Sequence, residues 1–331
     1  MMKGTKAVAG MNIKRLVFGI CMAFVLLGAF MGASVASAKT IYVPDDYGRI
    51  QWAVDNASAG DTIVVRDGTY VENIDINKPH LTIKSENGSA NCVVRAANSK
   101  DHVFYVTADN VTIKGFTVTG ARYYYYPPNN NGGIVYYLYS GIYFYYSNNC
   151  RIENVNASNN NGGIVLFGSS NIIANNIVSS NNDVGIYLFD SNNNIIANNN
   201  VSSNNGIGIE LEDSSNNIIA NNIVSNNHEG IYLDHSTSNI IANNIVSSNN
   251  QYGILLYYYP SNNTVANNTV SNNDYGIYLC YSSNNIIYLN NFINNTDQVY
   301  SYASTNIWNS TEKITYTYLS LIHISEPTRP Y

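Results

Sequence analysis

The stretch Asn171-Ile172-Ile173-Ala174-Asn175-Asn176-Ile177-Val178 decides the fold, because it returns almost unchanged at Asn194 to Val201, Asn217 to Val224 and Asn239 to Val246. It weakens at Asn263 to Val270, and again at Asn285 to Ile293, where one residue reads as inserted. A second segment, Gly-Ile-x-Leu, recurs from Gly185, Gly208, Gly230, Gly253 and Gly276, with earlier copies from Gly141 and Gly163. Successive glycines lie 22 or 23 residues apart. Self-similarity at a fixed period of this size marks a solenoid, in which each repeat buries its open face against its neighbours. Leucine-rich repeats share such a period, but their Leu spacing is absent. Gly and Asn between short β-branched runs favour strands over helices.

Alternation then assigns the faces of one coil. In Gly185-Ile186-Tyr187-Leu188-Phe189, Ile186 and Leu188 share one face and Tyr187 and Phe189 the other. Down the stack one inward column reads Ile142, Ile164, Ile186, Ile209, Ile231, Ile254, Ile277. The next reads Phe144, Leu166, Leu188, Leu211, Leu233, Leu256, Leu279. Asparagines form columns too: Asn176, Asn199, Asn222, Asn244, Asn268 in one, and Asn182, Asn205, Asn227, Asn250, Asn273 in another. At a coil spacing of about 4.8 Å, one Asn amide can donate to the copy below, and Asn also tolerates the left-handed backbone of a corner. These columns read as structural. Ile50, Ala53, Val54 and Ala57 fall at helical spacing after a candidate cap, Asp46, so a short amphipathic helix with Trp52 is expected to close the N-terminal end. Thr62 to Val65, Leu81 to Ile83 and Val111 to Val118 supply the first, irregular coils. The expectation is an all-β chain: a single-stranded right-handed parallel β-helix with a short N-terminal capping helix.

The two ends read differently. Lys3, Lys6, Lys14 and Arg15 precede an apolar run from Leu16 to Phe30 and a small-x-small site at Ala36-Ser37-Ala38, the pattern of a signal peptide over residues 1–38. Met11 opens a more conventional signal than Met1 does. The run is shorter than the ~20 residues that span a bilayer, so no membrane span is expected after cleavage. At the other end, Leu319 to Arg329 reads LSLIHISEPTR and resembles the translation of a transposase sequencing adapter. Residues 319–331 are therefore set aside as an artefact, with the natural chain expected to continue past Tyr318 toward a C-terminal lid. The β-helix domain is assigned to 39–318, with its regular coils at about 141–309.

Only 11% of residues are charged, and no Lys or Arg occurs from Ile152 to Thr311. That stretch carries Glu153, Asp183, Asp190, Glu210, Glu212, Asp213, Glu229, Asp234, Asp274 and Asp297. Such a surface repels phosphate backbones, so nucleic acid is excluded as the expected partner. Cys92, Cys150 and Cys280 are too far apart for a metal motif and are odd in number; one disulfide, or three buried thiols, would satisfy them. Asn-x-Ser/Thr sequons fall at Asn56, Asn87, Asn110, Asn156, Asn200, Asn262, Asn267, Asn294 and Asn309.

The repeats resemble those of the NosD-like parallel β-helix family. Ile41-Tyr42-Val43-Pro44-Asp45-Asp46-Tyr47, Ile50-Gln51-Trp52-Ala53-Val54 and Gly60-Asp61-Thr62-Ile63-Val64-Val65 are similar to its N-terminal coil, and Asn285 to Trp308 to its last. The resemblance implies the fold over nearly all of Thr40 to Tyr318. For function it implies three classes: surface proteins, carbohydrate-active enzymes and a copper accessory role in nitrous oxide reductase assembly.

The residues themselves favour the first class, a secreted or cell-surface protein with a structural or carbohydrate-binding role. Tyr143, Tyr145, Tyr187, Tyr232, Tyr257 and Tyr278 line the outward columns, and a Tyr-rich insertion, Ala121 to Tyr139, lies beside the upper coils. Rings with a polar tip suit the faces and hydroxyls of a polysaccharide or cell-surface glycan. The enzyme alternative, a glycoside hydrolase or lyase, would use Glu210, Glu212 and Asp234, which could serve as an acid/base pair or hold Ca²⁺. A lyase also needs a basic residue, and these coils have none. Copper wants His, Cys and Met. Every Met lies in the signal segment, and His228 and His235 fall on either side of Gly230, on different facets, so no metal or other cofactor is assigned.

Overall fold

A computed structural model describes residues 38–122 and 138–309. The expected signal segment, most of the Tyr-rich insertion and the 319–331 tail lie outside the described residues. Within them the chain winds into stacked coils, each contributing one strand to each of three parallel sheets, of 11, 10 and 10 strands. One coil runs Ile195–Ala197, Asn200–Ser202 and Ile207–Glu212. We name the sheets by these segments: the Ile-Ile-Ala, Ile-Val-Ser and Gly-Ile sheets. The coil pairs with its successor in register, Ile196 with Ile219, Val201 with Val224 and Leu211 with Leu233. Both inward columns of the Gly-Ile sheet are fully buried from Ile142 and Phe144 to Ile277 and Leu279, as alternation predicts.

The corners depend on a division of labour between consecutive residues. Asn175, Asn198, Asn221, Asn243 and Asn267 sit in the left-handed region, at φ of 57° to 58°. That turn swings the next residue inward, so Asn176, Asn199, Asn222, Asn244 and Asn268 are buried. Each buried amide is then saturated. Asn222 Oδ1 accepts from the Asn199 backbone N–H (2.9 Å) and from Asn199 Nδ2 (3.0 Å). Asn222 Nδ2 donates to the Ile196 carbonyl (2.9 Å) and to Asn244 Oδ1 (3.0 Å). A buried side-chain amide with both donors and its acceptor satisfied carries no desolvation penalty and ties three successive coils together.

The second asparagine column differs from the sequence reading. The ladder after the Ile-Val-Ser strands is Asn160, Asn181, Asn204, Asn227, Asn249, Asn273 and Asn295, all buried. Asn182, Asn205 and Asn250 follow these residues and are exposed. In a run such as Ser180-Asn181-Asn182, only the residue after the left-handed corner (Ser180, φ 57°) points inward. A third ladder, Asn171, Asn194, Asn217, Asn239, Asn263 and Asn285, precedes the Ile-Ile-Ala strands. A serine ladder follows the Gly-Ile strands, with the Ser169, Ser191 and Ser214 N–H groups donating to Oγ of Ser191, Ser214 and Ser236. The last repeat also corrects the reading: it contains no insertion. Leu289 takes the left-handed corner (φ 55°), Asn290 joins the ladder, and Phe292 pairs with Val270.

The glycine of each Gly-Ile strand is dictated by space. A Cβ on Gly230 would lie 2.3 Å from the Gly253 carbonyl and 2.7 Å from a Val246 methyl. At the N-terminal end, Thr40–Val43 already pairs with Thr62–Val65, and a helix over Ile50–Asn56 buries Ile50, Ala53 and Val54. Asp46 is not its cap; its carboxylate accepts from the Tyr42 N–H (2.7 Å). The orphan N–H groups of Ile50 and Gln51 donate instead to Glu72 of the following coil, 3.0 Å each. Trp52 is 51% exposed and does not close the core. Cys92, Cys150 and Cys280 are buried and unpaired.

Ladder and corner residues should respond oppositely to substitution. Asn222→Ala strands a buried N–H, an amide donor and a carbonyl, and is expected to lower the unfolding free energy by about 3–5 kcal/mol. Asn221→Gly keeps the left-handed corner and should change it by less than about 1 kcal/mol. Denaturant unfolding of both variants decides this, and equal losses would refute the division of labour.

Candidate functional site

The outer face of the Gly-Ile sheet carries the outward columns in the predicted order. Tyr187 pairs with Glu210, Glu210 with Tyr232, Tyr232 with Leu255 and Leu255 with Tyr278. Beside them Phe189 pairs with Glu212, Glu212 with Asp234, Asp234 with Tyr257 and Tyr257 with Cys280. A third outward column was missed: Ile207, Glu229, Tyr252, Tyr275 and Asp297. These residues stand two positions before each inward Ile of the column, outside the Gly-Ile-x-Leu segment from which the faces are assigned. The recurring Tyr or Glu directly before the glycine was the available signal.

The face divides into three parts. On the upper coils the rings pack on each other. Tyr145 stacks on Phe167 (5.4 Å between centroids) and Phe167 on Phe189 (5.1 Å). Tyr143 lies beneath His102 (4.3 Å), and burial pushes its hydroxyl up to about 12. His102 Nδ1 accepts from the Ser140 N–H (3.1 Å), and burial pushes the ring down to about 4, so it is neutral at pH 7.

The middle is acidic. Glu210 and Glu212 share one strand, and Asp234 pairs with Glu212 on the next coil, in the strand that begins with Glu229. Glu212 accepts the Tyr187 hydroxyl. Asp234 is held by His235 (2.6 Å) and the Tyr232 hydroxyl (3.3 Å). Burial first, and then repulsion from Glu212, Asp183, Glu229 and Asp234, pushes Glu210 up to about 8. Burial likewise raises Glu229, whose Oε2 is shut from solvent without a hydrogen-bond partner. Two of the three candidate catalytic carboxylates are thus engaged by neighbours.

The lower part is a groove of about 350 Å³ lined by Ile207, Glu229, Tyr232, Gln251, Tyr252, Leu255, Tyr257 and Tyr278. It gathers Tyr232, Tyr257 and Tyr278 from the expected binding set and adds Tyr252. Tyr143, Tyr145 and Tyr187 do not line it. It is a shallow, half-open depression with a mixed polar and apolar lining.

The copper role implied by the resemblance does not fit these residues. Among the described residues no three His, Cys, Asp or Glu side chains converge to hold a metal ion, Ca²⁺ included. Cys150 Sγ instead donates to the Ala108 carbonyl (3.4 Å). His228 and His235 stand at opposite ends of the strand Glu229–Asp234, at different corners of the coil. Sequon residues Asn110, Asn262, Asn267 and Asn294 stand at left-handed corners, and none of them is a ladder residue. Among the described residues no helix is long and apolar enough to cross a membrane.

Glu210 makes stability depend on pH in a stated direction. The unfolded chain sheds this proton near pH 4.5 and the folded chain near pH 8, so the folded state holds more protons in between. Stability therefore falls as pH rises through that window. Thermal unfolding at pH 5, 6.5 and 8 should show the decline, and Glu210→Gln should flatten it and raise the midpoint at pH 8. Superimposable profiles would remove Glu210 as its source.

Comparison with known proteins places the fold and the family. A cell surface glycoprotein of Methanothermus fervidus is 35% identical over 108 residues, which are 32% of this chain and 18% of that protein. Three solved structures share the β-helix at low identity. An alginate lyase from Paenibacillus sp. aligns with TM-score 0.56 and 19% identity, over 82% of this chain and 99% of its own. XylC in complex with xylose gives 0.59 and 14%, over 74% and 66%. Pectate lyase Pel9A gives 0.54 and 17%, over 84% and 80%. These likenesses concern the fold. The family described as "Periplasmic copper-binding protein (NosD)" matches residues 54–244 and 204–324, and the chain belongs to this family.

Proposed function

We propose that the chain is an exported cell-surface β-helix protein that binds a neutral polysaccharide along its Gly-Ile face. The carrying observation is the groove in which Tyr232, Tyr252, Tyr257 and Tyr278 surround Gln251 and Glu229. Tyr rings offer an apolar face and a hydroxyl at the tip, matching the alternating CH and OH surfaces of a sugar, and lose little entropy on binding. Charge selects among glycans. With no Lys or Arg from Ile152 to Thr311 to pair with an acidic sugar, and with Glu212 and Asp234 on this face, uronate polymers are disfavoured. The matched surface glycoprotein and the periplasmic description of the family support a place outside the cytoplasm.

Affinity electrophoresis tests the reading with xylan, β-glucan, mannan, alginate and polygalacturonate. At least one neutral polymer should retard the protein, and neither acidic polymer should. Tyr232→Ala with Tyr278→Ala should weaken retardation by about tenfold or more, as expected for paired aromatic anchors. A protein retarded by none of the neutral polymers would end this reading.

A further inference from the structure

The corner that follows each Gly-Ile strand lies in the left-handed region: Tyr146 fills it on the upper coils (φ 48°), with its ring edge-on to Tyr145 and Phe167, and Gly168, Asp190, Asp213 and His235 follow at φ of 44° to 59°. Lower in the stack tyrosines return to this corner. Tyr258, Tyr259 and Tyr281 occupy the same region at φ of 52°, 65° and 49°, a conformation that bulky side chains seldom adopt. Their rings are not buried in compensation. They are 42%, 65% and 42% exposed, and Tyr302 in the next coil is 51% exposed.

The coil carrying two of them is also irregular. Cys280 is followed by one corner residue, Tyr281, and then ladder residue Ser282. Tyr257 is followed by two, Tyr258 and Tyr259, and then by Pro260. Pro260 has no hydroxyl and no N–H, so the serine ladder that runs through Ser236 is broken here and resumes with Ser282 and Ser304. Two unfavourable backbone conformations and a lost ladder rung present rings to solvent and add nothing to the core. Strain that the fold does not need points to function.

The rings form one continuous ridge. Tyr258 lies 6.1 Å from His235 and Tyr259 5.8 Å from it; Tyr259 is 6.3 Å from Tyr281, and Tyr281 5.6 Å from Tyr302. The ridge joins the groove, because the Tyr257 ring that lines the groove is 4.1 Å from Tyr258. Its tyrosine rings bear hydroxyls and no charge. We infer that Tyr258, Tyr259, Tyr281 and Tyr302 form a second stacking subsite for the glycan held in the groove, so that a chain longer than the groove crosses Tyr257 onto the ridge. This rests on the groove reading and extends it to a preference for chain length.

Replacing the ridge residues with Asn, which fills left-handed corners elsewhere in this chain, separates binding from folding. The triple variant Tyr258→Asn/Tyr259→Asn/Tyr281→Asn should unfold at or above the wild-type temperature. Calorimetric titration would use the hexaoses and bioses of β-1,4-linked xylose, glucose and mannose. For a hexaose that binds wild type, the variant should lose about tenfold or more in affinity, while affinity for the matching biose is kept. Tyr232→Ala, inside the groove, should weaken both lengths. A folded ridge variant that binds the hexaose as wild type does overturns the ridge and leaves the groove standing. Wild type that binds no oligosaccharide overturns both. If the triple variant unfolds below wild type, Tyr281→Asn alone carries the same comparison, and unchanged hexaose affinity there is likewise refuting.

Discussion

Buried side-chain amides constrain everything else in this molecule. An Asn inside a β-solenoid must satisfy two donors and an acceptor without water, and only the equivalent Asn one coil away, with the adjoining backbone, is placed to do so. Asn199 shows the rule: Nδ2 donates to Asn222 Oδ1 (3.0 Å) and to the Ile173 carbonyl (3.0 Å), while its backbone N–H donates to the same Asn222 oxygen (2.9 Å). Every coil must therefore turn at the same places, which fixes its length and its register. Where the Gly-Ile strand passes closest to its neighbours, the residue left over is glycine. Inside the coil almost nothing is free to vary.

That regularity is why so much of the fold was legible. Period-2 alternation gave the inward columns and the order of the outward ones, because one face of each Gly-Ile strand from Ile142 to Leu279 is fully buried. The misreadings share a physical cause: sequence spacing shows that a residue recurs, but not which member of a pair the backbone turns inward. Asn182 and Asn181 recur equally well, and only the left-handed φ at Ser180 selects Asn181. Asn285 to Ile293 reads as carrying an insertion because Leu289, an unusual occupant of a corner, stands where the other copies have Asn. Glu72, which caps the helix in place of Asp46, lies one coil away from the N–H groups it accepts from, and no local motif encodes such a partner.

The candidate site was legible as a face but not as a cavity. The outward Tyr and acidic columns are where alternation put them. Which of them converge depends on the third column, through Glu229 and Tyr252, and on the rings that cover Tyr143. The same packing separates roles: upper rings stack on one another, the central carboxylates are drawn into hydrogen bonds with Tyr187, Tyr232 and His235, and the lower rings leave a groove. Among the described residues no three His, Cys, Asp or Glu side chains converge to hold the copper of the family description. Membership of the family brings the coil architecture.

The central claim is that the amide ladders, more than the strands alone, hold the coils in register. Native-state hydrogen exchange, read residue by residue, tests it directly. The N–H groups of Asn176, Asn199, Asn222 and Asn244 lie at corners, where loop amides usually exchange quickly, yet each donates to a buried Oδ1 one coil away. The account predicts protection equal to that of the buried strand residues Ile196, Val201 and Leu211, lost only in global unfolding. Exchange at these four amides far ahead of the neighbouring strands would show that the corners open independently, and would contradict it.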